Sequence, residues 1–524
     1  MSDSILPQRT AKAAFVVSAL WLGAFFVVPV GMMLVDFASV DDARRVLTRA
    51  STWKIVWFSA WQAMLSVLAT FAVATPVTWL IGRHEFYARR ALRALTTVGF
   101  LLPSVVVGAA FLAVLPREWH YTAWAVIVAH AYFNVAVVVR VLGARLELLD
   151  SRLIAAARTL GATPAQAART VALPFVRGAV ASAAAVVFVY CFSSFAVVRL
   201  LGGPSRNTME SDIALRAFGI GDLRGAVVMS VLQAAAIVMF VMVMRIAARN
   251  EPPAIRSAAV ALGRITGRRR WLALATAGFT IAFVVGPLVA VVVQSMRVGD
   301  RVSLEAWRSI AQSSLWASIV ASARTAFAAG VAGTALALAT AFAVVRLGVR
   351  GRLLDAATIV PLAVSPVTLG LGLVVTFDSG WFDWRSEWWF VAVAHTLVAF
   401  PLAVRVLVPA WRTVPRGLHA AAAVLGADER RRLLHIDLRL LRRAIVAALG
   451  IVVAVSLGEF GAASLLSRDG AETLPVAIAR LLARTGDLVR AEGFVLATIL
   501  IVACVGVLAI VESALGRRRH VAGR

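Results

Sequence analysis

Apolar runs of about 20 residues, the length an α-helix needs to cross the hydrocarbon core of a bilayer, recur from end to end of this chain. That constrains the fold severely. Within lipid each backbone N–H and C=O must be satisfied inside the protein, so a spanning segment is a helix or part of a closed barrel. The alternation over about ten residues that marks a barrel strand is absent. Of the 524 residues, 61% are hydrophobic, too many for a set of soluble domains with polar surfaces. The pattern predicts an all-α polytopic membrane protein with about twelve spans. They fall near 13–36, 55–81, 94–115, 121–142, 178–201, 224–246, 271–294, 315–345, 354–377, 388–410, 444–466 and 491–514. The first is longer than a signal-peptide core and has no convincing cleavage site after it, so it reads as a retained helix.

The formal net charge of +26 is read as topology rather than as affinity for nucleic acid. With the N-terminus placed in the cytoplasm, 35 lysines and arginines fall in or at the edge of inside segments and 17 in or at outside ones. This bias places both termini inside. Trp381, Trp384, Trp388 and Trp389 cluster at an outer boundary, as an interfacial belt does. Cys191 and Cys504 both lie in apolar spans, and neither a disulfide framework nor a zinc site follows from them. The histidines show no ligand spacing, and no metal site is expected. His130 and His395 read as packed neutral side chains, and Arg324 as a residue that snorkels to an outer edge.

The chain repeats itself at a fixed shift of 265 residues. His130 falls on His395, Val139-Arg140-Val141-Leu142 on Val404-Arg405-Val406-Leu407, Leu160-Gly161-Ala162 on Leu425-Gly426-Ala427, and Gly221-Asp222-Leu223 on Gly486-Asp487-Leu488. No gap is needed from residue 129 to 226, through loops as well as spans. The expected organisation is a first repeat over 1–250, a basic cytoplasmic linker over 251–270 with Pro252-Pro253, and a second repeat over 271–524. An even number of spans in each half makes the repeats parallel.

A short polar joint occurs once in each half: RTLGATPAQAARTVALP (158–174) and AVLGADERRRLLHIDLR (423–439). In the first, Ala155, Ala156 and Ala157 begin a helix-forming run. Gly161 is placed to end that helix in the left-handed region, and Thr163 to cap the next, with a proline at its first position. In the second, Ala420, Ala421 and Ala422, then Gly426, then Asp428 as cap, keep the same plan. Each joint predicts a rigid knob of two short helices.

These joints resemble the EAA motif of ABC importer permeases: Glu-Ala-Ala, three residues, Gly, nine residues, then Ile-x-Leu-Pro. Gly161 and Val171-Ala172-Leu173-Pro174 fit that spacing, as do Gly426 and Ile436-Asp437-Leu438, where Arg439 replaces the proline. Ala155 and Ala420 both replace the motif's Glu. The stretches AHAYFNVAVVVR (129–140), CFSSFAVVRLLGGP (191–204) and SLGEFGAASLL (456–466) are similar to fused two-half permeases of thiamine and ferric-iron importers, the first two closest to the thiamine type. The resemblance implies two tandem six-helix type I ABC importer permease repeats. It implies a multi-pass protein of the cell (inner or plasma) membrane, in contact with membrane lipid and with no nucleic-acid partner. Partners would be two copies of a cytoplasmic ABC ATPase at the knobs and an extracytoplasmic substrate-binding protein. The segments 208–223 and 473–488, each predicted to form a short external helix, would face the binding protein.

No GxxxxGK[ST] phosphate loop occurs, and the only lysines are Lys12 and Lys54. The chain thus binds no cofactor on this reading, and ATP is used by the partner. No catalytic residue is expected, since no nucleophile–base pair or paired carboxylates stand out. Glu459 is the exceptional charge within a span. It reads either as a pathway or gate residue or as an inter-helix hydrogen bond, and its counterpart Ser194 would make the pathway asymmetric. An ion-gradient-driven secondary transporter also suits twelve spans in two parallel halves, but leaves the paired joints unexplained.

Overall fold

The computed structural model describes residues 8–37, 39–203, 206–248, 263–265, 267, 269–379, 382–384, 387–467 and 472–516. Trp381 and, of the expected linker over 251–270, residues 251–262, 266 and 268 lie outside them. Among the described residues, ten helices are long and apolar enough to cross a membrane, from Arg9–Phe37 to Asp487–Ala514. The protein is an all-α polytopic membrane protein.

Two of the expected spans are not straight. The third is the pair Arg89–Phe100 and Ser104–Val114, and the ninth is Gly348–Ala363 and Pro366–Phe377; each pair bends by 99°. Proline explains the position of both bends. The residue before a proline is pushed out of the helical region, and Leu102 before Pro103 and Ser365 before Pro366 are extended, with ψ of 146° and 148°. Ser365 then caps the second arm by accepting from the Thr368 N–H at 3.1 Å.

The chain packs as two compact units. Unit 1 comprises Met1–Ala43, Ala214–Val227 and Leu304–Arg524, and unit 2 comprises Arg44–Ile213 and Val228–Ser303. Each unit therefore takes a first span from the other half of the sequence. In unit 1 the helix Gln8–Leu22 packs on Leu315–Arg346, where Ser18 Oγ meets Thr340 Oγ1 at 2.8 Å. In unit 2 the helix Arg269–Ser295 packs on Ser104–Val114, and the Tyr132 hydroxyl donates to the Val284 carbonyl at 3.0 Å.

Within each unit the same details recur. Leu173–Phe192 stops at Ser193, and a short helix, Ala196–Leu201, follows. Leu438–Gly458 stops at Glu459, and Gly461–Leu466 follows. Each short helix lies against a glycine on the second arm of a bent pair. A Cβ on Gly108 would sit 2.6 Å from the Leu200 side chain, and one on Gly370 would sit 3.0 Å from the Ala462 Cα. The segments expected as external helices hold Met209–Ala214 and Leu474–Leu482. Their first N–H groups donate to Ser59 Oγ at 2.9 Å and to Ser322 Oγ at 2.6 Å.

Ion pairs brace the first arm of each bent pair with opposite polarity. In unit 2, Arg89 on that arm meets Glu147 at 2.7 Å, and Arg93 joins the same carboxylate. In unit 1 the arm carries the acid: Asp355 meets Arg405 at 2.7 Å.

Candidate functional sites: two knobs and a broken span

The first knob begins with the helix Ser151–Thr159, which carries Ala155, Ala156 and Ala157. It ends in a Schellman turn. The Ala162 N–H reaches the Ala157 carbonyl at 3.0 Å, and the Gly161 N–H reaches Arg158 at 3.1 Å. Gly161 has φ +88°, a conformation glycine adopts without the Cβ penalty. The second knob repeats this at the 265-residue shift. Its helix Arg416–Val424 carries Ala420, Ala421 and Ala422. The Ala427 N–H reaches Ala422 at 2.9 Å, the Gly426 N–H reaches Ala423 at 3.0 Å, and Gly426 has φ +75°.

The second helix of each knob is capped by the expected residue. Thr163 accepts from the Gln166 N–H at 3.2 Å, and the Gln166 side chain accepts from the Thr163 N–H at 2.8 Å, with Pro164 at the first turn. This reciprocal capping box was legible as T-P-A-Q, although Gln166 was not singled out. Asp428 accepts from the Arg431 N–H at 2.8 Å. Both knobs then run through a π-helical turn, Ala168–Ala172 and Leu433–Asp437, into the next span. Pro174 follows the first turn and Arg439 the second, so a proline is not what causes it. The tips present Leu160 and Leu425, 89% and 86% exposed; the sequence repeat pairs them but gives neither a role.

The knobs differ in what ties them to their spans. His419 and Asp437 are both buried, with His419 Nε2 3.1 Å from Asp437 Oδ1 and Arg346 3.5 Å from Asp437 Oδ2. The 265-residue counterparts of His419 and Asp437 are Ile154 and Ala172; the first knob is tied instead by Arg83, which donates to the Leu149 carbonyl, and by Arg145 Nε, which donates to the Phe175 carbonyl at 3.3 Å. Burial, opposed in part by Asp437, holds the His419 imidazole below its ordinary pKa, and the charge of Arg346 pushes the same way.

The broken span after the second knob holds Glu459. Its carboxylate is buried and accepts from the N–H groups of Ala462 and Ala463, at 2.9 and 2.8 Å. It also lies 3.3 Å from His395 Nε2, while His395 Nδ1 meets Ser456 Oγ at 2.8 Å. Two N–H groups at a helix start are a ready place for a carboxylate. Ser194, in the first half, is half-buried, and the helix Ala196–Leu201 has no side-chain cap. Arg324 lies with its guanidinium 4.2 Å above the Trp388 ring. Among the described residues no group of three or more His, Cys, Asp or Glu is placed to hold a metal.

The chain is thus a tandemly repeated helical membrane protein with one knob in each half. The family model described as the binding-protein-dependent transport system inner membrane component matches residues 74–256 and again 333–519, and the chain belongs to that family. It is 27% identical to the thiamine transport system permease protein ThiP of Escherichia coli K12, over 99% of this chain and 96% of that protein. It is 26% identical to the protein of that name in Brucella suis, over 89% of each. A putative 2-aminoethylphosphonate transport system permease protein, PhnV of Salmonella paratyphi A, is 29% identical over 36% of this chain and 69% of that protein.

Proposed function

We propose that this chain is the membrane-spanning subunit of an ATP-driven importer of thiamine, with both termini in the cytoplasm. The two knobs carry the reading: they keep one backbone plan at one shift, down to the Schellman turn, the cap and the π-helical turn. Two matched knobs call for two copies of one ATPase. Leu160 and Leu425 supply each knob with an apolar contact, and the glycine turns hold them out from the helix bundle. An extracytoplasmic binding protein delivers the solute. ATP is hydrolysed by the partner, and the residues of this chain transmit its movement. Glu459 holds the second broken span in register by capping its short helix, and Ser194 leaves the first one freer. The near-full-length likeness to thiamine permeases supports the substrate.

Uptake of labelled thiamine in cells with and without this chain, before and after ATP depletion with the ion gradient clamped, tests the reading. Uptake that needs both the chain and ATP is expected. Uptake that collapses with the gradient but survives ATP depletion would make it a secondary transporter. Uptake of ferric iron in place of thiamine would keep the ATP-driven class and replace the substrate.

A further inference from the structure

The two units carry different polar side chains at the break. In unit 1, His395 is held between Ser456 and Glu459. The corresponding residues in unit 2 are His130, Cys191 and Ser194. His130 Nδ1 lies 3.2 Å from Ser66 Oγ. One turn on, Asn134 donates from Nδ2 to the His130 carbonyl at 2.9 Å and contacts Cys191 Sγ at 3.5 Å. Gln62 donates from Nε2 to the carbonyls of Cys191 at 3.1 Å and Ser59 at 3.2 Å. Both amides thus spend their NH₂ groups around one residue. Asn134 Oδ1, Gln62 Oε1 and His130 Nε2 have no partner among the described residues. The three side chains are 1%, 0% and 2% exposed. Native interiors seldom leave buried polar atoms unpaired, and three around one position call for an explanation. The second half places Ala399 at the position of Asn134, so the helix bundle does not need an amide there.

We propose that these three atoms form the recognition subsite for the amino-substituted nitrogen heteroaromatic end of the solute, an inference that rests on the thiamine reading. The two amide oxygens accept the two N–H groups of an exocyclic amino group. In the tautomer in which His130 Nδ1 accepts from Ser66 Oγ, Nε2–H is left to donate to the adjacent ring nitrogen. The subsite stands directly before the point where Leu173–Phe192 breaks, and interrupted helices are where transporters hold substrate. In the conformation described here the atoms are shut from solvent, so the solute meets them when the break opens in the transport cycle. The asymmetry of the halves then gives one subsite per molecule, in the first half only.

The test uses the complete importer, with its ATPase and binding protein, in proteoliposomes. Asn134→Ala, which installs the second half's own residue, and Gln62→Leu are compared with the native chain for uptake of thiamine and of oxythiamine, whose exocyclic amino group is replaced by oxygen. The binding protein is the same throughout, so a change in discrimination belongs to the permease. The native importer is expected to prefer thiamine, and each variant to lose that preference tenfold or more while keeping ATPase stimulation by the loaded binding protein. If both substrates fall together at an unchanged ratio, the residues are structural and the subsite is overturned. If Gln62→Leu fails to assemble, Asn134→Ala alone decides. Absence of thiamine uptake by the native importer would overturn the thiamine reading and the ligand class with it; native uptake with unchanged variant ratios would overturn the subsite alone.

Discussion

The two knobs share one backbone plan but are anchored by different physics. The first is tied by arginines that donate to backbone carbonyls, Arg83 to Leu149 and Arg145 to Phe175, with Ile154 and Ala172 at the places where the second has His419 and Asp437. The second depends on a buried ionic cluster completed by Arg346. The bracing pairs of the bent helices differ in the same spirit: Arg89–Glu147 in one unit and Asp355–Arg405 in the other exchange polarity while keeping a 2.7 Å contact. Once two copies lie in one chain, each is free to satisfy the same geometry by its own chemistry. A position that holds no buried acid tolerates substitution, whereas a buried charge does not tolerate loss of its partner.

The largest effect is therefore expected in the second knob. Asp437→Ala leaves two cationic or polar neighbours without their shared acid, and removing one member of a buried pair costs about 3–5 kcal/mol. Thermal unfolding of the purified permease should report it as a marked loss. Ala172→Gly, the nearest perturbation in the first knob, should cost much less. Equal losses would end the distinction between the anchors.

Next come the turns, where the comparison should vanish. No atom lies within 4 Å of a Cβ placed on Gly161 or Gly426, so valine meets only the backbone penalty of the left-handed region, about 1–2 kcal/mol at each site. The double variant Gly161→Val, Gly426→Val should assemble yet lose most thiamine uptake, because the tips no longer point at the ATPase. Unimpaired uptake would count strongly against the knobs as couplers. A smaller effect separates the caps. Thr163→Ala removes one half of a capping box and should cost about 1 kcal/mol, read as faster hydrogen exchange over residues 165–167 and no change at the second knob.

The subtlest difference is in pH. The folded state holds His419 below its ordinary value of 6.5, so the unfolded chain binds more protons as pH falls past that value. The stabilisation is present above it and is lost progressively below it. Exchange protection of the second knob should weaken on acidification while that of the first stays level, and His419→Gln should remove the slope.

Much of this was legible in the residues. Gly161, Thr163, Gly426 and Asp428 announced turn and cap because their local chemistry leaves few alternatives. In the knobs the 265-residue register carried over into the turn and cap hydrogen bonds without adjustment. The bends at Pro103 and Pro366 were equally local, yet an apolar run looks the same whether it crosses straight or folds back, and hydropathy alone gave two plain spans. Glu459 stood out as a charge in an oily helix, but its two N–H partners and His395 could be found only in space. Gln62 and Asn134 gave no signal, because a polar residue in a span carries no mark of which of its atoms will be used.

By itself the sequence determined the helices, their number to within the two bent pairs, the tandem repeat and the knobs. These follow from the length of apolar runs and from the few residues that can end or cap a helix. Only the tertiary structure decided that each unit is completed by a first span from the other half, that both knobs enter their spans through a π-helical turn with or without a proline, and that Gln62 and Asn134 turn their NH₂ groups toward Cys191 and leave their oxygens unpaired. Such features depend on which surfaces meet, and between apolar helices many pairings satisfy the same hydropathy.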